Sequence, residues 1–157
     1  MTELEQILNH AEAALAAAGD ADADTRLAAM ITFMAQIERI ARLVMVGAAT
    51  WEAAKPWAER NAKSAIAARR GFEDWCLETG DLFYGGGEEG AERALERRSR
   101  FALAHDLFRG TEAEEWLEGY QTEDVDQDYR EQAEQCGLDP PDWVPRSHTW
   151  WLWRELG

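Results

Sequence analysis

Basic residues are scarce in this chain. Sixteen Lys and Arg stand against 31 Asp and Glu, a formal net charge of −15. Neutralising duplex phosphates needs a cationic face, so direct duplex nucleic acid binding is not expected. The same deficit disfavours an anionic membrane surface. Long apolar runs are missing too. The most apolar stretch, 27–49, is interrupted by Gln36, Glu38, Arg39 and Arg42, which makes it a poor membrane span. The opening Met-Thr-Glu-Leu-Glu-Gln lacks the basic and apolar regions of a secretion signal. A soluble, cytoplasmic protein is the expectation.

Cysteine is limited to Cys76 and Cys136, with no Cys-x-x-Cys. The pair reads as two reduced, structural thiols, with one disulfide between them left open. Histidine is limited to His10, His105 and His148. None has a Glu three residues before it, so the Glu-x-x-His pattern of helical di-iron sites is absent. Cys and His do not cluster as zinc ligands. The acidic run from Glu123 to Asp128 lacks the Gly and Glu that a calcium-binding EF-hand loop places at its sixth and twelfth positions. No Lys-Ser or Lys-Thr follows Gly85-Gly86-Gly87, and Glu88 and Glu89 would repel phosphate. Nucleophilic catalysis needs a nucleophile, a base and a group that orients the base. No local signature marks either Cys, and the adjacency of Ser147 and His148 implies no hydrogen bond. No cofactor, metal or catalytic residue is assigned.

What the chain does have is Ala, Trp and carboxylates. Abundant Ala and few β-branched residues favour helix over sheet. Eight Trp within a 46% hydrophobic composition supply ample surface for a core. The expected fold is mainly α: a single-domain helical bundle over 1–157, of roughly five to six helices, with an irregular Trp/Pro-rich C-terminal segment. An internal boundary, if there is one, falls in the Gly-rich stretch 81–90, read as a loop.

Along the chain, Thr2 and Glu5 form a capping box for a first helix running through Ala18. Its apolar stripe is Leu4, Ile7, Leu8, Ala11 and Leu15. Asp24 or Thr25 would cap a second, central helix with Leu27, Met30, Ile31, Met34, Ile37, Ala41 and Val44 inward. Pro56 suits the first turn of a third helix, helical by propensity over 57–70. Gly71 would kink it before Phe72, Trp75 and Leu77 add an apolar face, and Gly80 would stop it. Helix is expected again over 91–109, with Ala94, Leu95, Phe101, Ala102 and Phe108 inward and Arg residues outward. Thr111 and Glu114 suggest a second capping box. A last short helix over 124–136 would end at Gly137. Beyond it, Pro140, Pro141 and Pro145 enforce an irregular path.

The charge is unevenly distributed. Over 111–142 the acids are Glu112, Glu114, Glu115, Glu118, Glu123, Asp124, Asp126, Asp128, Glu131, Glu134, Asp139 and Asp142, against Arg130 alone. Twelve minus one leaves −11 of the total −15 there. Arg93, Arg97, Arg98 and Arg100 crowd the helix before it. The acidic segment either folds back on those Arg residues or stands in solvent as an anionic face. In the second case Glu112, Glu114, Glu115, Glu118, Glu123, Asp124, Asp126 and Asp128 would steer a basic partner surface, with Trp116 and Tyr120 as anchors.

In size, charge and helicity, though in no sequence motif, the chain is similar to nuclease-immunity proteins, DNA-mimic antirestriction proteins and anti-CRISPR proteins. The analogy implies an inhibitor that covers a basic, nucleic-acid-binding surface of a partner protein or ribonucleoprotein complex. The alternative is a helical assembly adaptor that oligomerises through its aromatic segment, 143–153. A third is an enzyme with a hidden carboxylate pair of raised pKa values.

Overall fold

The computed structural model describes residues 1–19, 22–85, 87–118 and 123–154, and of 79–85, 118 and 123–125 the backbone alone. The described residues form seven helices and no strand: α1 (Glu3–Ala17), α2 (Ala23–Met45), α3 (Trp51–Ala67), α4 (Arg69–Gly85), α5 (Gly87–Leu107), α6 (Glu114–Glu118) and α7 (Glu123–Cys136). The expected mainly α, single-domain bundle is what the chain adopts. None of the described helices is long and apolar enough to cross a membrane.

Helix α1 opens as its sequence dictates. Thr2 Oγ1 accepts from Glu5 N–H at 3.1 Å while the Glu5 carboxylate accepts from Thr2 N–H at 3.2 Å, which satisfies two donors the helix cannot. Helix α2 starts earlier than Asp24 or Thr25. Asp22 is its cap, accepting from Thr25 N–H at 3.2 Å and Thr25 Oγ1–H at 2.6 Å. An Asx side chain reaches the third residue beyond it, so Thr25 becomes the donor instead of the cap.

Helix α2 packs against α1, α4 and α5 and is the central element. Its buried stripe is Met30, Phe33, Met34, Ile37, Ile40 and Ala41, whereas Ile31 is exposed. The helical repeat was legible, its phase less so: the stripe is rotated to bring in Phe33 and Ile40. Phe33 meets Phe72 of α4 edge-on, centroids 6.1 Å apart, and Trp116 of α6 packs on the same Phe72 at 5.4 Å. Phe72 thus joins three helices.

Pro56 does not open α3. Thr50 caps it, with Ala53 N–H donating to Thr50 Oγ1, and Pro56 sits in the second turn. The break before α4 falls at Ala68, not at Gly71. Gly71 lies in α4's first turn, where a Cβ would approach the Ala18 carbonyl to 3.2 Å and Met30 Cε to 3.3 Å. It permits close helix approach and introduces no kink. Leu77, expected inward, is 70% exposed; it stands roughly 200° around the helix from buried Trp75.

The largest departure is the Gly-rich stretch. Helix α4 runs through Gly80 to Gly85, and α5 opens at Gly87. The expected loop over 81–90 is helical on both sides of residue 86. Each Gly costs a helix about 1 kcal/mol relative to Ala, but α4 and α5 pack along each other, and tertiary packing outweighs that propensity.

Thr111 and Glu114 do not make a capping box of the first kind. Thr111 Oγ1 donates to the Phe108 carbonyl at 2.6 Å and accepts from Ala113 N–H, while the Glu114 carboxylate accepts from Gly110 N–H at 2.9 Å. The two side chains close the turn that leaves α5 and introduces α6. Helix α7 ends as expected at Gly137, whose φ of 67° only Gly adopts without strain. Leu138 N–H then donates to the Ala133 carbonyl at 2.9 Å, closing a Schellman turn.

Candidate functional site

The acidic segment divides into what the core takes and what it leaves outside. Among the described residues the segment and the Arg helix meet through one ion pair. Arg98 of α5 grips Asp126 of α7 with Nε and Nη2 at 2.8 and 3.0 Å, a bidentate fork that fixes one helix on the other. The remaining paired Arg residues of α5 turn elsewhere, Arg97 to Glu78 at 3.0 Å and Arg100 to Glu38 at 2.6 Å. Three more acids are paired with bases outside α5: Glu134 with Arg130, Asp139 with Arg154 and Asp142 with Arg42. Folding back is therefore real for Asp126, and among the described side chains of the segment no other acid pairs with an Arg of α5.

Glu112, Glu115, Asp128 and Glu131 are exposed and make no ion pair among the described residues. Glu114 is half-buried and held by the Gly110 N–H. The outer face of α7 carries Gln127, Asp128, Glu131, Glu134 and Gln135, all exposed. Its inner face buries Tyr129 and Ala133, and Arg130 stands at the margin, donating to the Thr149 and Trp151 carbonyls. Trp116 is not a free anchor, because it is half-buried on Phe72. Tyr120 and the side chains of Glu118, Glu123 and Asp124 lie outside the described residues.

The C-terminal segment seals the other side of α5. Trp143, Trp150 and Trp151 are 2%, 5% and 0% exposed. The surface an aromatic adaptor would need is spent on the chain's own core, which leaves Leu152 and Trp153 half-buried at its edge.

Beneath this cap lies a polar arrangement that sequence reasoning missed. Trp151 Nε1–H donates to Ser99 Oγ at 2.9 Å, and Ser99 Oγ lies 2.8 Å from His148 Nδ1. An indole N–H can only donate, so Ser99 accepts there, and its hydroxyl hydrogen and second lone pair let the 2.8 Å contact with His148 form with either ring tautomer. Burial pushes its pKa down to about 4, and the nearby Arg98 charge pushes the same way. The His148 ring stacks on Trp150 at 4.5 Å, and the Arg98 guanidinium lies 4.1 Å from the Trp150 centroid. Asp126, Arg98, Trp150, His148, Ser99 and Trp151 thus form one continuous chain of contacts. No sequence pattern marks Ser99, which is embedded among Arg residues of a helix expected to face solvent.

Ser99 and His148 are the residue types of a nucleophile and a base. Ser99 is fully buried, and a base with so low a pKa is a weak proton acceptor at neutral pH. Ser147, the neighbour of His148 in sequence, is exposed and takes no part. A cleft of about 320 Å³ beside this chain is lined by Arg98, His105, Asp106, Arg109, Asp126 and Thr149 among others. Its two Arg are already paired, Arg98 with Asp126 and Arg109 with Asp106. Glu38 and Glu96 both approach Arg100, at 2.6 and 3.7 Å, and burial raises the Glu96 pKa. The guanidinium between them makes this an ion-pair cluster, in contrast to the proton-sharing dyad of the enzyme reading. No group of three potential metal ligands occurs among the described residues.

Both cysteines are free thiols, so the open alternative of a disulfide is not realised. Burial pushes the Cys76 thiol up to about 12, with the Arg98 charge opposing it. Against the ordinary value of 9.0, its thiolate fraction at pH 8 falls about a thousandfold. Iodoacetamide at pH 8 is therefore expected to label Cys76 two to three orders of magnitude more slowly in the native protein than in urea, read by peptide mass spectrometry. Equal rates would show that Cys76 is not held in the core.

Comparison with protein-family models, curated proteins and solved structures found no match to this chain.

Proposed function

We propose that this chain is an acidic binding protein that covers a basic, nucleic-acid-binding surface of a partner protein or ribonucleoprotein complex, presenting carboxylates where phosphates would lie. The observation that carries the reading is the outer face of α7, where among the described residues carboxylates and amides are exposed and Arg130 at the margin pairs with Glu134 alone. Glu112 and Glu115, exposed before and within α6, add to the same charge excess. A helix holds its carboxylates at a set backbone spacing, so a basic surface meets an anionic array with no backbone left to order on binding. The two aromatic anchors are not needed. Amide side chains beside the carboxylates offer both donors and acceptors for the rim of such a contact.

The Lys substitutions D128K, E131K, E112K and E115K together change the local charge by eight, at exposed positions where the fold tolerates it. The variant is expected to capture partners from host lysate more than tenfold less well at low salt, chiefly through a slower on-rate. Wild-type capture should itself fall steeply as salt is raised, and the captured proteins should lose nucleic acid binding when wild-type protein is added. Capture indifferent to both salt and charge reversal would remove the electrostatic basis of the reading.

A further inference from the structure

Three helix ends meet at the opposite pole of the sequence from α7: the start of α1, the end of α2 and the start of α3. Helix α2 stops in a Schellman turn, with Gly47 N–H donating to the Val44 carbonyl and Ala48 N–H to the Leu43 carbonyl. Gly47 holds φ at 77°, which a side chain would strain. The chain then reverses into α3 through Gly47, Ala48 and Ala49, three residues with almost no side-chain volume. Bulk is missing where the three ends converge. The result is a groove of about 510 Å³, lined by Leu4, Leu8, Leu43, Ala49 and Ala53 and walled by Glu3 and Glu5.

Two observations mark this groove as a docking surface and indicate what fits it. A Cβ added to Gly47 would meet nothing within 4 Å, so the chain itself does not fill the space. On the last turn of α2 beside it, Met45 is 52% and Val46 77% exposed, large apolar side chains left in water. Glu3 and Glu5 line the groove and exposed Glu52 stands in the first turn of α3. No Lys, Arg or His lines it among the described residues. An apolar floor with acidic walls is complementary to apolar side chains flanked by cations. A second copy of the chain would bring its own −15 to the contact, and an anionic lipid surface would be repelled likewise.

We infer that the groove docks an amphipathic cationic helix of another protein, its apolar side chains on Leu4, Leu8 and Leu43 and its Lys or Arg against Glu3, Glu5 and Glu52. Recognition of this kind uses apolar anchors at helical spacing laid into a groove, with charge selecting the partner. The site is separate from the α7 face and does not depend on its function.

The probes are two 15-residue helical peptides of equal apolar pattern, one built from Leu and Lys and one from Leu and Glu, titrated into the ¹⁵N-labelled full chain. The Leu/Lys peptide is expected to shift the amides of Gly47, Ala48 and Ala49. The Leu/Glu peptide should bind at least about tenfold more weakly. Ala48→Trp, at an exposed position, should fill the groove and lower Leu/Lys affinity by about tenfold or more. Glu3→Gln with Glu52→Gln should weaken it severalfold and flatten its salt dependence. Leu77→Ala, at an exposed position on α4, should leave it unchanged. Equal binding of both peptides, shifts confined to α7, or binding that survives Ala48→Trp and is lost in D128K/E131K would each overturn the assignment. So would self-association in sedimentation that Ala48→Trp abolishes, which would make a second copy the occupant.

Discussion

Trp151→Ala is expected to destabilise the protein by roughly 4 kcal/mol, among the largest effects of any single substitution in this chain. Trp151 is 0% exposed, so truncation removes a whole buried indole and leaves a cavity that the surrounding helices can fill only in part. Two polar losses add to the cavity. Ser99 Oγ loses the N–H that donates to it at 2.9 Å, and the irregular segment that offers the Trp151 carbonyl to Arg130 loses its anchor. Ser99 keeps its contact with His148, so the lost hydrogen bond adds about 1 kcal/mol. Urea denaturation at neutral pH, followed by far-UV circular dichroism, measures the sum. The result also separates two views of the aromatic segment. A segment reserved for an oligomer interface would tolerate Trp151→Ala in dilute monomer with a change below about 1 kcal/mol. That outcome would mean the C-terminal segment does not cap the core.

The helices were legible in the sequence because most of their information is local. Thr2 with Glu5 and Gly137 behave as their types require, since caps depend on a few adjacent atoms. The misread features are those settled by distant packing. Gly80 and Gly85 carry an intrinsic preference against helix that the α4–α5 contact overrides. Gly71 is small because Ala18 lies against it, and nothing near residue 71 in sequence announces Ala18. Asp22 was passed over because Asp24 and Thr25 are equally good caps by type.

The candidate site was legible in the same partial way. Charge density marked the segment and the Arg-rich helix before it, but Arg97, Arg98 and Arg100, expected outward, are largely covered, at 17%, 12% and 21% side-chain exposure. Which carboxylate would meet which guanidinium was not legible, since Arg98 reaches Asp126 while its neighbours Arg97 and Arg100 face α4 and α2. Successive residues on a helix point about 100° apart, so a run of Arg cannot serve one partner helix. Among the described residues, exposed Asp128 and Glu131 on α7 and Glu112 and Glu115 near α6 carry charge that no base neutralises, whereas Asp126 and Glu134 are paired. The groove and the Ser99 chain were invisible for a different reason: both are made from residues distant in sequence, most of them chemically bland.

The second large effect is a loss of stability in acid, centred on His148. Its pKa falls from the ordinary 6.5 to about 4 in the folded protein, so between those values the unfolded chain binds a proton that the folded one refuses. Stability then drops as pH falls through 6.5 toward 4 and levels off below, where both states are protonated. At 1.36 kcal/mol per unit, the loss is on the order of 3 kcal/mol. The structural cause is specific. A protonated His148 would be a cation stripped of water by burial and placed near the Arg98 charge, and both effects oppose it. Carboxylates titrate in the same range, so the contribution of His148 is read by difference. His148→Asn keeps an acceptor for the Ser99 hydroxyl and has nothing to titrate. The wild type is expected to lose about 3 kcal/mol more than this variant between pH 6.5 and 4 in urea denaturation. Parallel stability curves would mean that the fold does not depress the His148 pKa.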